Sequence, residues 1–350
     1  MQNDYGIGNY VLKHPQSNIE GVFRVIAEHK TYYVVASPLG AFKGLLPRRV
    51  LFKATSDLDI PTVGDFICAR RIGMSQEVAI QKVLPRVSVL VRKDAVEERK
   101  AREEVIASNI DVVFVVQGLD EGVNSSRLSR YIAMVRSGNS RPVIVLSKSD
   151  LDPNAKENAE AATKELGVPV ILVSATRGEG VDALRRALKP GETCAFIGRS
   201  GAGKSSLMNK LAESDLAQVG AVREGDVKGR HTTVHRELFG ISGGVFIIDT
   251  PGTREVAPWA EKEAVVDAFD DIKALATECE YSDCDHIKSD GCAIRNAVLS
   301  GLLPKNRYDI FISMITAARK KEAATQSMED RKRRGKSISR ELRRFYKDNK

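Results

Sequence analysis

The chain has 350 residues, 42% of them hydrophobic and 29% charged, with a net charge of +8. That balance supplies enough apolar material for a sizeable folded core and excludes a disordered chain; no apolar run approaches the roughly 18 residues a membrane-crossing helix needs. The charge is uneven: residues 331–350 hold ten Lys/Arg against two Asp/Glu, so this tail carries all of it. A basic tail reads either as a solvated end or as an arm for a polyanion. Two or three domains are expected from the length. Met1 to Tyr5 has neither a basic nor an apolar signal region, so a cytoplasmic location is expected. The five cysteines are an odd number, and three lie near one histidine, which suggests metal binding in a reducing compartment.

From residue 19 to about 90, short β-branched or aromatic runs are punctuated by Gly and Pro: Gly21–Ile26, Thr31–Val35, Asp65–Ala69 and Ala79–Leu84. They predict a small barrel or sandwich, with OB-type and SH3-like barrels both open. The charged stretch Arg92–Glu104 reads as a linker or a first helix. Five buried strands alternating with helical stretches follow: Val112–Val116, Val143–Leu146, Val170–Val173, Cys194–Ile197 and Val245–Ile248. Near-continuous apolar runs of this kind predict a mostly parallel sheet covered on both faces. From about Ala260 the pattern is helical apart from the Cys/His cluster.

The sequence Gly198-Arg199-Ser200-Gly201-Ala202-Gly203-Lys204-Ser205 fits the phosphate-loop pattern G-x-x-x-x-G-K-[ST] and lies between a strand and a helix. Its backbone N–H groups and the helix N-terminus suit phosphate oxygens, Lys204 suits the β/γ-phosphates, and Ser205 suits Mg²⁺. Together with Ser206 and Gly252, these residues are expected to hold the nucleotide. Asp249-Thr250-Pro251-Gly252 ends a strand with Asp-x-x-Gly, where Asp249 can hold Mg²⁺ and the Gly252 N–H can touch a γ-phosphate. Ser147-Lys148-Ser149-Asp150 also ends a strand: Asp150 can accept from guanine N1–H and its exocyclic amine, a donor pair adenine lacks. Lys148 can pack its stem along the base, and Ser174-Ala175 follows the next strand, where a backbone N–H can meet guanine O6.

The base-reading motif precedes the phosphate loop by about fifty residues, whereas GTPases ordinarily place it after. All of these loops follow strand ends, so a sheet can gather them into one site whatever their order. Between the phosphate loop and Asp249 lies Gly229-Arg230-His231-Thr232-Thr233, where Thr232 or Thr233 can complete Mg²⁺ coordination. Thr253 stands where many GTPases carry a catalytic Gln, which leaves His231 to orient water or remain an exposed loop histidine. Cys279-x4-Cys284-x-His286-x5-Cys292 offers three thiolates and one imidazole, the donor set of a closed structural zinc site.

Val83-Leu84-Pro85-Arg86, Ile106-Ala107-Ser108-Asn109-Ile110-Asp111, the reordered loops, Gly229–Thr233 and the Cys/His spacing together resemble one family. It is the ribosome small-subunit-dependent GTPases of bacteria, whose G domain is circularly permuted, and the resemblance covers most of the chain. It implies an OB-type barrel over residues 1–90, a permuted α/β P-loop GTPase domain over 91–260, and a helical zinc domain with the basic tail over 261–350. It further implies GTP hydrolysis to GDP stimulated by the 30S subunit, contact with 16S rRNA in late 30S maturation, and His231 and Lys204 as catalytic residues. A monomer without membrane attachment, one structural Zn²⁺, and Mg²⁺ with GTP are expected. Ser147 stands where Asn is usual, and weaker guanine binding is expected from it. The competing readings are an ATP-using P-loop protein, which Asp150 disfavours, a permuted GTPase serving the large subunit, and an RNA chaperone whose nucleotide is structural.

Overall fold

A computed structural model describes residues 4–14, 21–53, 59–93, 103–213, 236–249, 266, 269–305, 307–316 and 318–319. The chain divides into two units, Met1–Trp259 and Ala260–Lys350.

The first unit opens with helix α1 (Ile7–Lys13) and five strands, β1 (Val22–Glu28), β2 (Tyr33–Ser37), β3 (Gly40–Leu45), β4 (Phe66–Arg71) and β5 (Glu77–Val83). Helix α2 (Arg48–Lys53) lies between β3 and β4. The strands pair in the order β1-β2-β3-β5-β4, and β4 returns to β1, so the sheet closes into a barrel. The β3–β5 pairing is parallel and the others are antiparallel, which is OB-type connectivity. Phe23, Val25, Val35, Phe42, Ile67 and Ile80 fill the interior.

At its two ends the stretch Arg92–Glu104 departs from expectation; residues 94–102 lie outside the described residues. Its two ends belong to an antiparallel hairpin, β6 (Val89–Lys93) and β7 (Glu103–Ser108). The apolar residues Leu90, Val105 and Ile106 are buried, and that burial outweighs the neighbouring charges in setting the local structure.

The expected five parallel strands follow as β8 (Val112–Gly118), β9 (Arg141–Ser147), β10 (Val170–Val173), β11 (Thr193–Ile197) and β13 (Val245–Asp249). The intervening helices are α3 (Ser125–Ser137), α4 (Ala155–Leu166), α5 (Val181–Arg186) and α6 (Lys204–Ala212). An additional antiparallel strand, β12 (Glu237–Ile241), precedes β13. The sheet order is β10-β9-β8-β11-β13-β12, so strands late in the chain sit beside early ones. One face packs Val113, Val115, Ile144 and Leu146 beneath Leu128 and Ile132 of α3. The other packs Phe114, Phe196 and Ile247 beneath Leu184 of α5 and Leu207 and Leu211 of α6. The period-2 alternation along β8 sends its side chains to both faces, as a doubly covered strand requires.

Barrel and sheet are joined. Strand β12 pairs with β1 at Ala27↔Glu237. Arg24 of β1, 1% exposed, donates to the carbonyls of Tyr5, Gly64 and Asn109 and to Thr193 Oγ1. Its guanidinium lies over the Phe66 and Phe246 rings, and burial lowers its pKa to about 10. Asp65, fully buried, accepts two 2.7 Å bonds from Arg86 and one from the Ser108 hydroxyl.

The second unit contains helices α7 (Asp270–Ala276) and α8 (Ala293–Leu299) and further helical residues at 307–316. Phe269, Ile272, Ile294 and Phe311 are buried in it.

Candidate functional site

The parallel registers Val173↔Ser147, Gly118↔Ser147, Ile197↔Val115 and Ala195↔Ile248 bring the C-terminal ends of β10, β9, β8, β11 and β13 to one edge of the sheet. Every described loop expected to hold nucleotide leaves from that edge, where open α/β sheets bind ligands.

The phosphate loop follows β11 and runs into α6. Gly198 has φ 139°, and a Cβ there would lie 2.1 Å from the Val116 carbonyl oxygen of β8, so a side chain is sterically excluded. Gly203 has φ 87° and hands the chain to Lys204, the first residue of α6. The Lys204 ammonium donates to the carbonyls of Gly198 and Arg199, both at 2.7 Å, so the lysine is folded back over its own loop. Burial lowers its pKa. Ser205 and Ser206 are exposed on the first turn of α6, and Arg199, Ser200 and Gly201 are exposed on the loop.

The base-reading segment is fastened to this loop. Ser147, 2% exposed, donates its hydroxyl to the Ala202 carbonyl at 2.6 Å. The shorter side chain found here in place of Asn thus still spans β9 to the phosphate loop. Lys148 follows in the left-handed region at φ 57°, and Asp150 lies in the 3₁₀ turn Ser149–Leu151. Hydroxyls of Ser174 and then Thr176 hold the Asp150 carboxyl below its ordinary pKa, so it is an ionised acceptor. Ser174 is buried and Ala175 half-buried, with the Ser174 N–H donating to Glu179 O.

Asp249 ends β13 beside β11 and lies opposite Glu237 of β12. Burial, and then the Glu237 charge, raise its pKa. A half-buried carboxylate beside a second acid is a setting in which a divalent cation is favourable, so the position fits Mg²⁺. His231, Thr232, Thr233 and Gly252, like Thr253 and the basic tail, lie outside the described residues.

Sequence reasoning passed over the end of β8. The turn Gly118–Gly122 places Asp120 and Glu121 at the same edge: Asp120 meets the Lys148 ammonium at 2.6 Å and Glu121 meets Arg199 at 2.7 Å. A cleft of about 110 Å³ beside it is lined by Gln117, Asp120, Lys148, Arg199 and Gly201, among others. The available signal was an acidic pair directly after a buried strand whose neighbours all end in nucleotide loops.

In the second unit, the donor atoms of Cys279, Cys284, His286 and Cys292 lie within 4.8 Å of one another. Cys279 Sγ and Cys292 Sγ are 3.7 and 3.9 Å from His286 Nδ1. Thiolate and imidazole donors of a tetrahedral ion stand about 3.6 Å apart, so the four residues fit such an ion. The Asp285 carboxylate accepts from the N–H groups of Lys288, Ser289 and Ile287, which shapes the turn around His286 and holds Asp285 well below the usual carboxylate range. The Tyr308 hydroxyl donates to His286 O at 2.8 Å.

A model of the RsgA GTPase family matches residues 83–259, and one described as 50S ribosome-binding GTPase matches residues 193–331. The chain is 40% identical over 296 residues to the small ribosomal subunit biogenesis GTPase RsgA of Opitutus terrae, covering 81% of this chain and 80% of that protein. It is 35% identical over 338 residues to the protein of the same name in Syntrophotalea carbinolica, covering 93% and 91%. Among solved structures, YjeQ from Thermotoga maritima matches with a TM-score of 0.65 at 22% identity, over 85% of this chain and 98% of that one. YloQ, described as a circularly permuted GTPase, matches with 0.63 at 21% identity, over 86% and 95%. Those two likenesses establish the fold: a circularly permuted P-loop GTPase.

Proposed function

We propose that this chain, which belongs to the RsgA GTPase family, hydrolyses GTP to GDP and phosphate in response to the 30S ribosomal subunit and acts late in its assembly. That it is a GTPase follows from the family; the trigger and the timing are our reading. The observation that carries its nucleotide part is the Ser147 hydroxyl on the Ala202 carbonyl, which ties a guanine-reading loop to a phosphate loop from a later strand.

In this reading Asp150 accepts from guanine N1–H and the amine, and adenine is rejected because it leaves the carboxylate unpaired. Lys148 lays its stem along the base, and the backbone at Ser174 and Ala175 meets O6. The N–H groups from Gly198 to Ser206 cradle the phosphates, joined by Gly252 at the γ-phosphate. The Lys204 ammonium exchanges the Gly198 and Arg199 carbonyls for phosphate oxygens, stabilising charge as it develops. Ser205, Asp249 and Thr232 or Thr233 hold Mg²⁺, which when bound neutralises the β/γ oxygens. His231 orients the attacking water. With Thr253 in place of Gln, turnover by the free protein is slow.

We assign residues 1–90 to an RNA-binding barrel, 91–260 to the GTPase domain and 261–350 to a zinc domain with its basic tail. The barrel exposes Lys43, Arg48, Arg49, Arg70, Arg71 and Lys82, which suits phosphates of 16S rRNA. Cys279, Cys284, His286 and Cys292 hold one structural Zn²⁺. No helix among the described residues is long and apolar enough to cross a membrane, and a ribosome partner places a monomeric protein in the cytoplasm. GTP turnover measured side by side with 30S subunits, with 50S subunits and alone tests this. Stimulation by 30S alone is expected; equal rates in all three would overturn it, and stimulation by 50S would favour the large-subunit reading. Normal release of Lys204→Ala and His231→Ala variants from 30S would instead favour a chaperone with a structural nucleotide.

A further inference from the structure

We infer that Asp120, in the turn between β8 and α3, is a positioning residue that sets Lys148 for the guanine base. The inference rests on the assignment of Lys148 to the base given above. Three observations support it. The Lys148 ammonium lies 2.6 Å from Asp120 Oδ2, although the two residues are 28 apart in the chain and on different strand ends. Gly118 is shaped to this contact: a Cβ there would fall 2.3 Å from Asp120 Oδ1 and 3.5 Å from Lys148 Cδ. The same turn is pinned to the phosphate loop by Glu121 and Arg199 at 2.7 Å, so it is fixed relative to the rest of the site.

The physical reason lies in the lysine stem. A free lysine loses about 2 kcal/mol of rotamer freedom when ordered. An ammonium already tethered at its tip leaves the methylenes lying in place, and less order has to be imposed when the base arrives. The carboxylate is well suited to this: the Lys148 hydrogen bond holds Asp120 below its ordinary pKa, so it is ionised throughout the neutral range. A base contact is the same in ground and transition states, so its loss raises KM and speeds GDP release while kcat at saturation moves little.

The test is GDP and GTP affinity, dissociation rate and steady-state kinetics in the full-length protein for Asp120→Asn, Gly118→Ala and Lys148→Ala. Asp120→Asn removes the charge at constant shape. Gly118→Ala keeps the charge but displaces the carboxylate, at a backbone position (φ −76°, ψ 135°) that any residue adopts. Both are expected to weaken GDP and GTP by about five-fold, the upper range for a partly exposed pair, through KM and dissociation rather than kcat. Asp120→Asn added to Lys148→Ala is expected to cost nothing further. Wild-type affinity in both Asp120→Asn and Gly118→Ala, or additive losses in the double variant, would overturn the inference while leaving the base assignment intact. Unchanged affinity in Lys148→Ala would remove the base assignment and the inference with it.

Discussion

Ser147 at the end of β9 and Ala202 in the phosphate loop are joined by a 2.6 Å hydrogen bond that closes a sequence separation of 55 residues. The Ser147 hydroxyl also reaches Gln117 O at 3.3 Å, so one short side chain touches the ends of three neighbouring structural segments. Ser147→Ala removes the donor and leaves a buried carbonyl short of a partner. A neutral hydrogen bond contributes about 0.5–1.5 kcal/mol, so GDP affinity is expected to fall about three- to ten-fold, measured by titration with a fluorescent analogue.

Asp65, directly before β4 of the barrel, is fully buried, is bonded twice by Arg86 and accepts from the Ser108 hydroxyl of β7. Arg86 is the last residue of the Val-Leu-Pro-Arg motif, which accounts for that motif structurally. Removing one member of a buried pair strands the other charge. Asp65→Ala is expected to lower unfolding free energy by about 3–5 kcal/mol in urea titrations. A loss below about 1 kcal/mol would mean that the pair contributes little to the fold.

The guanine contact is expected to be insensitive to mild acid. Asp150 has a pKa lowered from 3.8 by the Ser174 and then the Thr176 hydroxyl. A depressed carboxyl pKa gives a contribution that is full above the ordinary value and lost only as pH falls through the lower one. The preference for GDP over ADP, whose diphosphates titrate alike, is therefore expected to be the same at pH 5 and pH 7.5 in calorimetric titrations. A marked decline between those values would show that Asp150 is not the titrating acceptor.

The Cys/His cluster belongs to a unit separate from the nucleotide edge. Elemental analysis of the purified protein is expected to give one zinc per chain. Chelation or Cys284→Ser is expected to melt helical signal from the second unit and abolish 30S binding, while GDP binding persists. Metal binding and folding are one equilibrium in small sites of this kind.

Much of this architecture was legible in the residues. The five parallel strands carry apolar runs with Gly, Ser or Asp at or just after their ends, and the phosphate loop announces itself through glycines that backbone crowding explains, such as Gly198 against Val116 O. Strand β12 was missed because Glu237-Leu238-Phe239-Gly240-Ile241 has only three apolar residues, interrupted by a glycine, although Ser242-Gly243-Gly244 is a hairpin signal. The β6–β7 hairpin was hidden because charge density near Arg92 masks the apolar residues flanking it. Asp120 was invisible for a different reason: its role depends on a partner across two strand ends, and the sheet order that joins them is not written in local sequence.

The central claim is that strands joined in a reordered sequence still build a guanine-specific site with Asp150 as the reader. The direct measurement is hydrolysis of GTP and of xanthosine triphosphate by Asp150→Asn. Xanthine presents a carbonyl where guanine presents its amine, so an amide donor suits it and a carboxylate does not. The Asp150→Asn variant is expected to lose GTP hydrolysis and to gain activity on xanthosine triphosphate. Undiminished preference for GTP in Asp150→Asn would contradict it.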